Sequence, residues 1–397
     1  MELPEQNRAD SHSSAATCLI AANTVRVCSD RFGAALRAVV LTGSLARGEG
    51  TWVRQGEDRQ LLGDADIFLV FHSGAPMPPE GARAEEEAIE RALAEGDVGA
   101  HVRLAPVYPE FLTRMPRHIA TFELRACGRV LWGDADVLSL VPGFSAADIS
   151  REDAWRMLAN RIIEQLEAAA TGEGVLSARS QYATVKLILD MATSYLVFAG
   201  LYQPAYGQRV RILQEAARDH RADVPFPLAP FAEILKAATA FKLQATPMPY
   251  APERLWADAA RYASDLWAWQ LVRLTGGSPS SATPELMKQW MRQMPWKARL
   301  RGWASAARRS RLNATLCLPW LRLVPKGSPR YLTYAAATEL FFRLPEVIVQ
   351  DPDPVDWPGL AAGLPLPGAP TVQPDTWQAL AKSIALNYHQ LLESTTA

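Results

Sequence analysis

Two short segments of this chain carry side chains that could act together on a phosphate. Asp64 and Asp66 stand at i and i+2 in Gly63-Asp64-Ala65-Asp66, directly ahead of the apolar run Ile67-Phe68-Leu69-Val70-Phe71. On a strand that spacing puts both carboxylates on one face. Two like charges held so close are unfavourable unless a cation lies between them. Mg2+ suits such carboxylates and completes its octahedron with water and substrate phosphate oxygens. Two such ions could clamp the attacking and leaving oxygens of an in-line displacement at phosphorus. Alone, Asp-x-Asp reads first as a solvated turn before a strand. The second segment is Leu41-Thr42-Gly43-Ser44-Leu45-Ala46-Arg47-Gly48-Glu49-Gly50. A glycine directly after a strand lets the backbone approach a phosphate closely. The Ser44 hydroxyl and the following N–H groups can then donate to its oxygens. Arg47 adds a fork-shaped cation for the same oxygens. Alone, this too reads as a simple turn.

These residues need a sheet to hold them. Apolar spacing predicts a helix over Ala16–Ala38, after a polar and disordered tail at 1–15. Ala38-Val39-Val40-Leu41 reads as a buried strand running into the Gly43 turn, and Ile67–Phe71 as a second strand. Residues 51–63 read as an extended polar loop, a candidate lid beside the site. A Pro-rich loop covers Gly74–Gly81. A charged amphipathic helix over Glu85–Glu95 and a third strand over His101–Tyr108 follow. The alternation predicts an α/β (α+β) domain with a mixed sheet over 16–145. After Ser150 the apolar period is helical throughout, over Ala154–Ala170, Val175–Tyr202, Gln208–Asp219, Phe231–Ala245 and Glu253–Thr275, which predicts a helical bundle domain over 150–276. Gly276-Gly277-Ser278-Pro279-Ser280-Ser281 breaks it. The remainder, 282–397, reads as a basic, mostly helical region with seven prolines between 352 and 374 and a last helix over Thr376–Leu392.

Strand, Gly-Ser turn, Arg-Gly-Glu, loop, Asp-x-Asp, apolar strand: in this order, over Val39–Phe71, the chain resembles the polymerase-β-like nucleotidyltransferase superfamily, in particular its aminoglycoside-nucleotidyltransferase and minimal-nucleotidyltransferase branches. A looser match runs through Thr121–Asp134, with its helix, Gly128 and the Val130-Leu131-Trp132-Gly133 ending. Gln181–Asp190 looks like the helix that carries a tyrosine and a lysine in the helical caps of that group. The resemblance implies that Gly43 and Ser44 hold the β and γ phosphates of a nucleoside triphosphate, that Asp64 and Asp66 are catalytic and bind Mg2+, and that Arg47 and Lys186 neutralise phosphate charge. For Lys186 the alternative is a surface lysine lying along its helix. The implied reaction is Mg2+-dependent transfer of a nucleoside monophosphate to an acceptor (small molecule, RNA or protein) with release of pyrophosphate.

The chain departs from that pattern twice. Ser44 and Asp64 are 20 residues apart, longer than the resemblance leads one to expect. Active members also bring a third carboxylate from the next strand, whereas His101–Tyr108 holds no acid and Arg103 stands where it should be. An arginine cannot serve as a base. Asp97, Glu110, Glu123 or His101 could substitute from nearby. A nucleotide-binding regulator of the same fold, without transfer, is therefore the alternative reading.

Composition bounds the partners. The net charge of −1 gives no whole-protein field for a polyanion. Residues 1–150 carry 21 acidic and 14 basic residues, but most of the excess lies around 85–97, read as a solvated face, so a polycationic drug acceptor gains little support. Between Glu285 and Glu339 there are 11 basic residues and no acidic one. Lys288, Arg292, Lys297, Arg299, Arg301, Arg308, Arg309 and Arg311 interleave there with Trp290, Trp296, Trp303 and Trp320. Such a pattern suits nucleic acid, an anionic membrane surface, or a basic face packed against the acidic N-terminal domain. Through residues 286–338 the chain could thus act as a nucleic-acid or membrane-surface adaptor. Cys18, Cys28, Cys127 and Cys317 form no C-x-x-C pair and read as free thiols. With no transmembrane segment expected either, the reading is a cytoplasmic protein.

Overall fold

The computed structural model describes residues 5–55, 58–78, 81–171, 177–219, 223–309, 322–349, 357–365 and 376–392. Helix α1 (Glu5–Phe32) leads into strand β1 (Leu36–Leu41), the short α2 (Gly43–Ala46), β2 (Trp52–Gln55), β3 (Asp58–Phe71), α3 (Arg83–Ala94), β4 (Val98–Val107), α4 (Pro109–Thr113), α5 (Ile119–Cys127) and β5 (Arg129–Gly133). The expectation of a disordered tail over 1–15 is corrected from Glu5 onward. No glycine or proline interrupts Glu5–Phe32, while Gly33 stops the helix.

The five strands form one mixed sheet. β3 pairs antiparallel with β2 through Asp58–Leu61 and with β1 through Ile67–Phe71, and β5 pairs antiparallel with β1. β4 runs parallel to β3 along its other edge. The expected loop at 51–63 is thus corrected to a hairpin, β2 against the first residues of β3. Its polar side chains read as loop, yet its backbone groups are paired across the ribbon, with Trp52 opposite Leu61.

Period-two alternation sorts the sheet into two faces. Val39, Leu41, Ile67, Leu69, Phe71, Val102 and Leu104 pack with Ile20 and Cys28 of α1 and with Ile89 and Leu93 of α3. Ala38, Val40, Val70 and Val107 pack on the opposite face with Leu112 of α4, Leu124 of α5, Val137 and Val141. A sheet covered on both faces holds its strands rigidly enough to position side chains at their ends. Three of the four glutamates of α3 depart from the solvated face expected of them, while Glu87 is exposed and pairs with Arg83. Glu90 accepts the Val102 N–H at 2.9 Å and Glu86 accepts that of Leu104 at 2.8 Å, while Glu85, buried, pairs with Arg31 at 3.2 Å. Glu86 and Glu90 thereby satisfy backbone donors of β4.

The remaining helices are α6 (Arg151–Ala170), α7 (Ala178–Phe198), α8 (Tyr206–Arg218), α9 (Leu228–Gln244), α10 (Pro252–Thr275), α11 (Thr283–Gln293), α12 (Trp296–Arg309), α13 (Pro329–Val349), α14 (Trp357–Ala361) and α15 (Trp377–Leu392). Each predicted helix of this half is present, with ends displaced by a few residues. Val175, the expected start of the second, lies outside the described residues. The chain divides into two compact units, one of Met1–Asp153, Ala199–Glu215 and Ala232–Met248, the other of Ala154–Phe198, Ala216–Phe231 and Pro249–Ala397. The break expected near 150 falls at Asp153, while the residues on both sides of 282 belong to one unit. Two helical stretches join the sheet, and the basic region belongs with the bundle. In the second unit Trp155 stacks on Trp267 with centroids 4.9 Å apart, edge-on to Tyr331 and Tyr334. Gln270 donates to Ser194 at 2.6 Å and Ser194 to the Ala154 carbonyl at 2.9 Å.

Cys18, Cys28 and Cys127 are free thiols, as expected. Cys317 lies outside the described residues, as does most of the Pro-rich stretch 352–374. Among the described residues no helix is long and apolar enough to cross a membrane.

Candidate active site

β1 ends at Leu41 and the chain turns at Gly43 with φ +68°, a left-handed conformation natural to glycine. The turn is pinned to β3 by the Thr42 N–H, which donates to the Asp66 carbonyl at 2.9 Å. A Cβ placed on Gly43 would stand 3.0 Å from Asp66 Oδ2. Backbone and carboxylate therefore meet at one point, and the two segments singled out by their sequence are brought together.

Asp64 and Asp66 lie inside β3 rather than at its mouth. By alternation they share the face of Val70, away from α1 and α3. Burial and then the neighbouring charge of Asp64 push the Asp66 carboxyl up to about 6, with Arg103 and His101 acting in the opposite sense. On β4, Arg103 stands in register with Asp66 and His101 with Asp64. Arg103 Nε lies 3.0 Å from Asp64 Oδ2, with 63% of its side chain exposed. The position where the resemblance places a third acid is thus held by a cation in contact with the pair.

Two of the candidate substitutes for that acid are engaged elsewhere: His101 Nδ1 lies 2.8 Å from Glu90, and Glu110 accepts from Ser73 at 2.7 Å. Among the described residues no group of three or more His, Cys, Asp and Glu side chains forms a metal cage. The carboxylate pair nevertheless suits one divalent cation. Two acids share one strand face, one of them raised by burial and then by the other's charge, and an oxygen-seeking ion would relieve that repulsion while phosphate and water complete its shell.

Arg47 departs from its expected place on a phosphate. Only 7% of its side chain is exposed, and it donates to Glu49 at 2.9 Å and to Glu123 at 2.6 Å. Burial alone would lower its pKa. The carboxylates of Glu123 and Glu49 more than offset that and hold it firmly protonated. Glu123 also accepts from Tyr202 and, at 3.0 Å, from Arg209, whose side chain is 3% exposed. Arg209 donates to the Tyr202 hydroxyl at 2.8 Å and to the carbonyls of Gln203 and Pro204. The Tyr206 N–H closes the cluster on Glu49 at 2.7 Å. Burial raises the Tyr202 phenol well above its ordinary range, so it remains a neutral donor. Sequence reasoning missed Tyr202, Tyr206 and Arg209 altogether and gave Glu49 no role of its own. Only the closeness of Arg47 and Glu49 hinted at an internal pair.

Lys186 belongs to the second unit, where its ammonium lies 3.4 Å from Glu164 and 5.8 Å from the centre of the Tyr182 ring. Of the basic residues named in the C-terminal region, Arg299 is buried and donates to the carbonyls of Met294, Pro325 and Arg292, so it braces the fold. Lys288 pairs with Glu285 at 2.7 Å. Trp303 is buried with its N–H on the Gly327 carbonyl, whereas Trp296 and Leu300 are exposed on α12, as are Lys297, Arg301 and Arg308. Arg292 is exposed on α11. Arg311 and Trp320 lie outside the described residues, and the side chain of Arg309 is likewise undescribed.

Behind the Gly43 turn lies a cavity of about 310 Å3, lined by Thr17, Cys18, Leu41, Leu45 and Trp52 among others. Leu41 belongs to the α1 face of the sheet, so the cavity lies on the side opposite the carboxylates. Comparison with protein-family models, with curated proteins and with solved structures gave no match to this chain.

Proposed function

We propose that this chain binds a nucleoside triphosphate over the Gly43–Ser44 turn and transfers its nucleoside monophosphate to an acceptor, releasing pyrophosphate. The observation that carries the reading is the close approach of Gly43 to Asp66. Phosphates lying against the turn would lie against the carboxylate pair as well. Gly43 lets the backbone come near the phosphate chain, and Ser44 donates to its oxygens. Asp64 and Asp66 hold Mg2+, which supplies charge neutralisation at the transferring phosphorus. Arg47 braces the turn from behind through Glu49 and Glu123. The acceptor is a small molecule, RNA or protein. Release of pyrophosphate from each labelled triphosphate, in the presence of a cell extract, tests the reading. Asp64→Asn and Asp66→Asn are expected to abolish release in a folded chain. Full activity in both variants would show the assignment wrong.

A second reading, a nucleotide-binding regulator without transfer, draws support from Arg103 standing where a third acid is expected. It predicts triphosphate binding by calorimetry with no labelled product in any extract. The exposed face of α12, with Trp296 and Leu300 beside Lys297, Arg301 and Arg308, supports an added contact to RNA or an anionic surface. Such binding must weaken steeply with salt, and salt-insensitive or absent binding to RNA and to anionic vesicles removes it.

A further inference from the structure

The carboxylate pair already has a cation beside it, and that cation belongs to the chain. β4 sets Arg103 opposite Asp66, and the guanidinium reaches diagonally to Asp64 at 3.0 Å. Its neighbours have fixed commitments. Arg47 is buried against Glu49 and Glu123, and His101 faces Glu90. Arg103 is mostly exposed, so it can leave Asp64 without opening the core. Exposed ion pairs of this kind are weak and exchange readily.

We propose that Arg103 is the resident counter-cation of the pair, taking the place of a second divalent ion, so that the site accepts one divalent ion and that ion must compete with the guanidinium for Asp64. The inference rests on the nucleotide-site reading above and adds regulation to it. When a divalent ion engages Asp64, the guanidinium is released beside the pair. Its forked N–H donors match phosphate oxygens. Loading the ion and presenting a phosphate-binding group then become one event. The site gains its cation for the phosphates from β4, where neither Arg47 nor a lysine of the first 150 residues can supply it.

The test uses the full-length chain and Mn2+ alone, followed by the spin-resonance signal of the free ion, with no triphosphate or acceptor present. The wild type is expected to bind a single Mn2+, Arg103→Lys to behave like it, and Arg103→Leu to bind about tenfold more tightly, because a positive charge a few ångströms from the ion is gone. Arg103→Asp is expected to take up a second ion. Asp66→Asn is expected to remove binding in every background. If Arg103→Leu binds with wild-type affinity, or the wild type itself takes two ions at the pair, the resident-cation inference is overturned while Asp66→Asn still upholds the site. If Asp66→Asn leaves Mn2+ binding unchanged, or no variant binds Mn2+, the reading of the site fails and the inference with it.

Discussion

Glu123 is the residue on which the first unit's buried charges converge, and its removal has a calculable cost. One carboxylate oxygen accepts from Arg47 at 2.6 Å, the other from Tyr202 and from Arg209 at 3.0 Å. The two guanidiniums are 7% and 3% exposed. Glu123→Ala leaves both of them buried with a partner missing. Breaking a buried pair by deleting one member costs about 3–5 kcal/mol. Arg47 keeps Glu49, and Arg209 keeps two carbonyls and the Tyr202 hydroxyl. The expected loss therefore lies at the lower end, about 3 kcal/mol. Glu123→Gln retains an acceptor but not the charge and should lose about half as much. Since the chain forms two units, whole-chain unfolding need not be a single transition. Hydrogen exchange of peptides covering β1 reports on the first unit alone. A loss below about 0.5 kcal/mol for Glu123→Ala, the range of an ordinary surface substitution, would refute the argument that this cluster holds the turn.

Two further outcomes follow from the site. Gly43→Ala forces a left-handed alanine, costing about 1–2 kcal/mol, and sets its methyl group 3.0 Å from Asp66 Oδ2. Thermal melts should shift down and triphosphate titrations should go flat; unaltered binding would count against the turn as the phosphate cradle. Asp66 makes stability pH-dependent. Its folded carboxyl titrates at about 6 against an ordinary 3.8, so the folded chain holds the extra proton between those values, and stability conferred below 3.8 is lost as pH rises through about 6. In chelator, urea midpoints of the wild type should therefore fall relative to those of Asp66→Asn across that window. Parallel pH profiles would mean that Asp66 is not so placed.

What the sequence disclosed and what it withheld divide along a physical line. The apolar runs at Val39–Leu41 and Ile67–Phe71 and the helical period after Ser150 are local patterns, and the elements stand where those patterns put them. That Arg103 would stand near the pair came from the resemblance alone, since alternation along a strand fixes the face of a side chain but not its partner on the next strand, and the pairing with Asp66 is set by the sheet. The hairpin at 52–61 was hidden, since a ribbon of polar residues is composed like a loop. The direction of Arg47 was hidden for another reason. It is decided by Glu123, 76 residues further on, and by Arg209 beyond it, and no local pattern announces such partners. The same holds for Glu86 and Glu90, whose spacing reads as a solvated helix face until a strand edge lies beneath them.

Those two glutamates also govern what this sheet can be joined to. An outer strand ordinarily offers a row of open amides on which a neighbouring chain can template itself. Here the chain's own helix answers the amides of Val102 and Leu104 with carboxylates. A peptide seeking that edge would have to dislodge two acids and then lie among them. Accretion of foreign or sister strands on β4 is thereby opposed both by occupied hydrogen bonds and by charge, and neutral residues at 86 and 90 would remove the second barrier while weakening the first.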